Sequence, residues 1–521
     1  MDKLNIMFAS KANLEKWLYD RSNWEQTRTD LNMTEVINYF EKGLNFFYAK
    51  DFPSEYLYKP CLTQEDAEYR LDIMGELLHD KILFENLYDY CAIMKRLRRL
   101  YLDYKDDKHD IQKQYRFLLL FGEYADDISR LKVILSNAKS PGLRTAYAFC
   151  SEITDSVEFK TVYNTAASLL SKIAQILKNV GMAINPYEKT VTVIDCEEAG
   201  ETELLLKDIF DTYGLKIKSR FSIVDPLPLS YLEEKVLKIL IDNNVDAFEN
   251  LKTFYGKYTE FLDDIKNFIE LLPQFVFYIS YTEFAGTMKS KGMSVCKPEF
   301  DDVGFSASEC AGASLIIKFL AENLPLEDIV CNDIRLPKGG IFILSGPNQG
   351  GKTIYLKALG LSAYLAKCGC YVFCKECRLP FYDNILTHFV QREILGKSRL
   401  VEEIERIEKI SNEFNKDSLV LLNESFTSTR RKDSVEISIH YIKKFDEIGC
   451  SVGFVSHFYE IPEVYKSGEN NIISLRSGVG ENGRRTYIIS EQKGDGLAYA
   501  RDIARKYGMT YEQIMEDMGK T

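Results

Sequence analysis

The stretch Ile341–Thr353, IFILSGPNQGGKT, limits the folds open to this chain more than any other. Ile341-Phe342-Ile343-Leu344 reads as a buried parallel strand, and Gly346-Pro347-Asn348-Gln349-Gly350-Gly351-Lys352-Thr353 follows at once. A glycine, four residues and then Gly-Lys-Thr is the pattern of a phosphate-binding loop. Glycines let backbone N–H groups close around phosphate oxygens. Lys352 can reach β- and γ-phosphates, and the Thr353 hydroxyl can ligate Mg²⁺. A helix opening at Thr353 turns its positive end toward the anion. The strand before the pattern and the apolar helix after it separate it from a chance match in a loop.

Hydrolysis of a bound nucleotide needs further groups, and they appear downstream in a fitting order. Asp417-Ser418-Leu419-Val420-Leu421-Leu422-Asn423-Glu424 is an apolar strand ending in a polar pair. Such a strand presents its carboxyl end to the phosphates. Glu424 is the candidate to orient or deprotonate the attacking water. Thr427-Ser428-Thr429 follows, and Val452-Gly453-Phe454-Val455-Ser456-His457 is a second apolar strand, ending in a histidine suited to the γ-phosphate.

With 521 residues the chain has room for three or four units at about 150 residues each. The 66 basic and 78 acidic residues leave a net charge of −12, which excludes a uniformly basic nucleic-acid coat but not a local patch. No run of about 18 apolar residues predicts a membrane span. The amino terminus has the features of neither a secretion signal nor a transit peptide. Twelve scattered cysteines then read as reduced thiols of a cytoplasmic protein.

Ahead of the phosphate loop the pattern is mainly helical. A strand is expected near Lys3–Phe8 and a helix near Leu14–Tyr19. From about Thr63 to Val133, apolar residues recur at helical spacing, as at Leu71, Met74, Leu77 and Leu78. Lys95-Arg96-Leu97-Arg98-Arg99 could contact phosphate, but beside Asp103 and Asp106 it reads better as a solvated helix face. Lys189–Asp195 is β-rich, and a short helix and second strand are expected over 196–224, ending at Val224. Tyr231 to Leu272 is a long amphipathic stretch that Asn243-Asn244 can break. Its aromatic stripe reads as packing rather than a base-stacking platform. From Asp301, short β-runs alternate with helices, as in a doubly wound sheet.

The segments GPNQGGKT, LVLLNES with TST, and FVSHFYEI closely resemble the ATPase domain of the MutS mismatch-repair proteins. Cys331-Asn332-Asp333-Ile334 matches the place where that family has an Asn near the nucleotide. Gly396-Lys397-Ser398-Arg399-Leu400 with Glu403 resembles its signature segment, which implies that Ser398 reaches the γ-phosphate held by a partner subunit. Lys493–Ala500 with Ile503-Ala504 resembles its small-residue segment. The resemblance is strong over 330–515 and weaker over the helices of 231–285 and over Thr63–Leu78.

The implied fold is an α/β P-loop ATPase domain of the ABC/MutS type over 301–521. A mainly helical core over 1–180, a small mixed insertion (a reduced clamp) over 181–224 and lever helices over 225–300 precede it. The implied function is a homodimeric, DNA-binding ATPase using ATP and Mg²⁺. Gly346 to Thr353, Asn332 and Ser398 would hold the nucleotide, Thr353 and Asn423 the metal, and Glu424 and His457 would serve the reaction.

Two departures qualify this. The family has Asp-Glu where this chain has Asn423-Glu424, and an amide lacks the charge that holds a Mg²⁺-bound water. No Phe-x-Glu wedge is evident, since Phe84-Glu85 lies in a helical pattern, so little mismatch selectivity is expected. A nucleotide-gated clamp with little hydrolysis, binding branched nucleic acid or a protein, is the alternative. A zinc site at Cys368, Cys370, Cys374 and Cys377 is a third reading, less well supported than small buried thiols because the spacing is not that of paired knuckles.

Overall fold

The structure is a computed structural model that describes residues 4–43, 51–107, 109–178, 180–185, 190–195, 231–390, 399–427, 429–458, 460–461, 471–480, 484–491, 513 and 515. The signature serine Ser398, the segment 493–504 and the expected helix and strand of 196–224 lie outside these residues. The chain forms two compact units. One comprises 1–6, 81–139 and 143–275; the other comprises 7–80, 140–142 and 276–521. Residues 7–80 group with the phosphate-loop region.

The amino-terminal segment carries α1 (Lys11–Tyr19), α2 (Glu25–Asp30), α3 (Met33–Asn38), α4 (Glu55–Tyr58) and α5 (Gln64–His79). Thr63 caps α5 by accepting from the Asp66 N–H. Leu71, Met74 and Leu77 are buried on one face of α5, as their spacing predicts. The strand expected near Lys3–Phe8 does not form in the described residues. Backbone groups there bond to side chains instead: the Ile6 N–H donates to Gln274, and the Met7 carbonyl accepts from Arg70.

The helical unit contains α6 (Lys81–Asp106), α7 (Asp110–Ile134), most of α8 (Pro141–Asp155) and α9 (Val157–Lys178). A hairpin of β1 (Val180–Asn185) and β2 (Thr190–Asp195) follows. The amphipathic stretch then breaks at Asn244 into α10 (Tyr231–Asn243) and α11 (Val245–Tyr258), and again before α12 (Phe261–Ile269). Its aromatic residues pack inward: Phe121 lies 5.9 Å from Phe254 and 5.1 Å from Phe261, and Tyr124 lies 5.4 Å from Phe268. On α6, Arg96 pairs with Glu123 and Leu97 is buried, so the basic run straddles a core position.

Helix α13 (Leu271–Ser290) leads into the second unit. Strands β3 (Glu299–Phe300), β4 (Gly304–Cys310), β5 (Asn332–Pro337) and β7 (Glu376–Leu379) form a sheet ordered β3-β7-β4-β5, with α14 (Ala313–Ala321) between β4 and β5. A larger sheet runs β12-β11-β6-β10-β9-β8. Its strands are β6 (Ile341–Ser345), β8 (Asn384–Phe389), β9 (Ser418–Asn423), β10 (Ser451–Val455), β11 (Ile472–Val479) and β12 (Arg485–Glu491). All neighbours are parallel except β12, which returns antiparallel to β11. Helices α15 (Lys352–Lys367), α16 (Arg399–Glu413) and α17 (Arg431–Ile448) follow β6, β8 and β9 in turn. Both sheets are thus mixed, and β6, β9 and β10 are buried throughout or nearly so, which is why they read as unbroken apolar runs.

Cys368, Cys370, Cys374 and Cys377 are all buried, and desolvation holds the first two thiols above their usual pKa. Among the described residues, no three His, Cys, Asp or Glu side chains are placed to hold a metal ion together. Cys368 caps the end of α15, Cys374 meets the Ser362 hydroxyl, and Cys377 lies on β7. No helix among the described residues is long and apolar enough to cross a membrane.

Candidate active site

Parallel pairing brings the carboxyl ends of β6, β9 and β10 side by side: Leu344 is in register with Val455, and Val455 with Asn423. What each strand delivers next is what the sequence order suggests. After β6 the loop turns through Gly346 at φ +130° and Gly351 at φ +87° before α15 begins at Lys352, one residue earlier than expected. A side chain at Gly346 or Gly350 would start 2.4 Å from the Ser477 hydroxyl on β11, so both glycines are needed for close approach, and Gly346 for the turn as well.

Lys352 is 4% exposed, and its ammonium donates to the carbonyls of Gly346 (2.9 Å) and Pro347 (3.0 Å), inside the loop it serves. Burial lowers its pKa. The Glu424 carboxylate opposes that shift, and the positive charge of Arg485 on β12 adds to it.

The Thr353 hydroxyl donates to the Asn423 side-chain oxygen at 3.0 Å. Glu424 stands next, at φ +56°, with its N–H bonded to the Val455 carbonyl on β10. Phe426 is also left-handed, at φ +65°. Two such non-glycine residues in one turn are costly, and backbone strain of this kind concentrates at functional sites. One Glu424 carboxylate oxygen lies 2.8 Å from Nε2 of His457, with both side chains about one-third exposed. Lys352, Thr353, Asn423, Glu424 and His457 therefore converge at the carboxyl ends of three neighbouring strands. Thr353, Asn423 and Glu424 offer oxygen donors alone, a set that suits Mg²⁺.

Asn332, expected near the nucleotide, lies on β5 and bonds to β12. Its amide donates to the Tyr487 carbonyl (3.0 Å) and accepts from the Ile489 N–H (2.7 Å), tying β5 to β12. Both of its polar atoms are thus engaged with backbone, while Tyr487, rather than Asn332, packs beside the position a Gly351 side chain would take.

Sequence reasoning missed two residues. His388, wholly buried at the end of β8, bonds through Nδ1 to the Ser425 hydroxyl at 2.7 Å, one residue from Glu424. Desolvation, helped by Arg406, pushes its pKa down to about 3, so it is neutral. Its signal was present: Ile385-Leu386-Thr387-His388 is an apolar run ending in polar residues, like the runs before Asn423 and His457. Ser477 is 1% exposed, and its hydroxyl has no hydrogen-bond partner among the described residues. Nothing in its sequence neighbourhood marks it.

Residues 342–505 match the family model for MutS domain V. The chain is similar to the DNA mismatch repair protein MutS of Fusobacterium nucleatum, 25% identical over 89% of this chain and 52% of that protein. It is likewise similar to the MutS of Thermosipho melanesiensis, 29% identical over 55% of this chain and 33% of that one. A third relative, the MutS of a Thermotoga strain, is 21% identical over 93% of this chain and 61% of its own length. The chain spans about half the length of the curated relatives it matches.

Proposed function

The chain is a MutS-type member of the mismatch-repair family, with its MutS domain V at 342–505, and on that premise we propose that it is a slow, Mg²⁺-dependent P-loop ATPase that acts as a homodimer and couples its nucleotide state to DNA. The observation that carries this reading is the pair of contacts at the mouth of the phosphate loop, Thr353 with Asn423 and Glu424 with His457.

Backbone N–H groups of the loop and the start of α15 receive the β- and γ-phosphates. Lys352 exchanges its two carbonyl partners for phosphate oxygens. Thr353, with Asn423 behind it, would hold Mg²⁺, which would supply charge neutralisation at the phosphates. Glu424 orients a water and accepts its proton as the water oxygen bonds to the γ-phosphorus and the bond to the bridging oxygen breaks. His457, already on Glu424, holds that carboxylate in place and contacts the γ-phosphate. Ser398 completes the neighbouring subunit's site.

Asn423 sets the speed. Its neutral oxygen accepts the Thr353 hydroxyl, whereas a carboxylate would accept it more strongly and add a negative charge behind the metal. The same contact favours the second reading, a nucleotide-gated clamp that turns over little. The experiment is phosphate release across a Mg²⁺ series for wild type and Asn423→Asp, beside binding to homoduplex, mismatched and four-way DNA with and without ATP. Turnover near or below about 1 s⁻¹, faster in Asn423→Asp and at lower Mg²⁺, supports the ATPase. ATP-dependent DNA binding with no hydrolysis in either protein favours the clamp. Binding that ignores ATP overturns both.

A further inference from the structure

Strand β11 outruns its parallel neighbour β6 at the carboxyl end. The last pair between them is Arg476 with Ser345, and β11 continues through Ser477, Gly478 and Val479. On the other side the next residue is Gly346, the first glycine of the phosphate loop. The overhang therefore sets Ser477 against the loop.

The Ser477 hydroxyl is 2.4 Å from the point where a Cβ on Gly346 would sit, and 2.4 Å from the corresponding point on Gly350. The Pro347 carbonyl oxygen lies 2.9 Å from that same Gly350 point. Hydroxyl and carbonyl are thus near neighbours. The carbonyl is taken by the Lys352 ammonium at 3.0 Å, while the hydroxyl, buried with the rest of its side chain, has no partner among the described residues. Packing alone does not call for this hydroxyl. Alanine would fill the same space and leave no polar group buried without a bond, which costs stability.

A hydroxyl that is idle in one state of the loop has a use if another state offers it an acceptor. Lys352 supplies that change. Its ammonium holds the Gly346 and Pro347 carbonyls, and both lose that partner when it turns to phosphate.

We propose that Ser477 is a positioning residue for the phosphate loop: its hydroxyl donates to the Pro347 carbonyl once Lys352 has left it, and so steadies the loop in the nucleotide-bound state. The inference rests on the reading above, in which Lys352 exchanges its carbonyl partners for phosphate oxygens. Ser477 touches no nucleotide. Its contribution is absent while Lys352 holds the loop and present whenever the ammonium is elsewhere, whether drawn off by ATP or removed by mutation. A buried serine that matters for its size alone would contribute equally in both cases.

The test is a double-mutant cycle on the full chain without nucleotide, beside titration with a fluorescent ATP analogue. In the wild-type background, Ser477→Ala should leave the thermal midpoint of unfolding unchanged or raise it. It should weaken the analogue about fivefold, the worth of one hydrogen bond. In the Lys352→Ala background, where the carbonyls are already vacated, Ser477→Ala should instead lower the midpoint by about 2 °C. Unchanged analogue affinity in Ser477→Ala, or the same midpoint shift in both backgrounds, overturns the proposal and leaves the phosphate-loop reading standing. If Lys352→Ala itself binds the analogue as the wild type does, the loop is not the nucleotide site, and that reading and this inference fall together.

Discussion

Two buried aspartates, one in each unit, are treated in opposite ways. Asp30 in the phosphate-loop unit is met by Arg406, Thr387, Gln26 and the Phe389 N–H. Asp127 on α7 of the helical unit is 1% exposed, and one of its carboxylate oxygens has no hydrogen-bond partner among the described residues. Desolvation first, then the nearby charge of Glu123, push its pKa up to about 7, with Arg130 and Arg96 pulling the other way. The polar groups of the phosphate-loop unit hold a site in shape. The helical unit relies on an aromatic core and tolerates a carboxyl that prefers its proton. Aromatic packing is non-directional enough to carry that cost, whereas a site that must meet phosphate to within an ångström is not.

The sharpest break between the units is a change that should remove function and leave the helical unit untouched. Lys352→Ala takes away the cation aimed at the phosphates, and ATP affinity should fall by at least about 100-fold, roughly 2.7 kcal/mol. Titration with a fluorescent ATP analogue reads the loss; a change below about threefold would mean that the loop is not the nucleotide site. Hydrogen exchange over residues 81–139 should be unchanged.

The next largest effect sets the units against each other in pH. Asp127 has its folded pKa raised to about 7 from the ordinary value near 3.9, so the native state binds the proton more tightly. Its stabilising contribution is complete below about pH 4 and is lost as pH rises through about 7. His388 has its folded pKa lowered to about 3, so its contribution is present above about pH 6.5 and is lost as pH falls toward 3. Asp127→Asn should therefore stabilise the helical unit by about 2–3 kcal/mol at pH 8 and by little at pH 4. Denaturant melts at both pH values check this, and an equal gain at both would show that charge is not the cause.

Glycines give a smaller contrast of the same kind. On α15, a side chain at Gly360 would begin 2.4 Å from Leu31 and 2.7 Å from Leu421, because the amino-terminal segment and β9 both close on the helix there. Gly360→Ala should cost about 1–2 kcal/mol through overpacking. On α11, Gly256 has nothing within 4 Å of the position its Cβ would take. Gly256→Ala should raise stability by about 0.5–1 kcal/mol, since helical glycine costs backbone entropy and nothing is displaced. Thermal unfolding of both variants measures the pair; a stabilising Gly360→Ala would mean that the segment around Leu31 yields easily and is a poor anchor.

Features that depend on neighbours along the chain are legible in the sequence. The strand, loop and helix around Lys352, the polar pair closing β9, the histidine after β10 and the helix break at Asn244 are local patterns with local causes: burial on both sheet faces, glycine turns and helical periodicity. Which distant groups meet is set by packing. The amide of Asn332 went to β12, residues 7–80 joined the phosphate-loop unit, Ser477 came to lie under two loop glycines, and Asp30 reached Arg406. The expected strand at Lys3–Phe8 failed for the same reason: its backbone found side-chain partners far along the chain, at Gln274 and Arg70. A polar side chain satisfies its hydrogen bonds with whatever packing brings within about 3 Å, and packing is fixed by the whole core rather than by any one stretch of sequence.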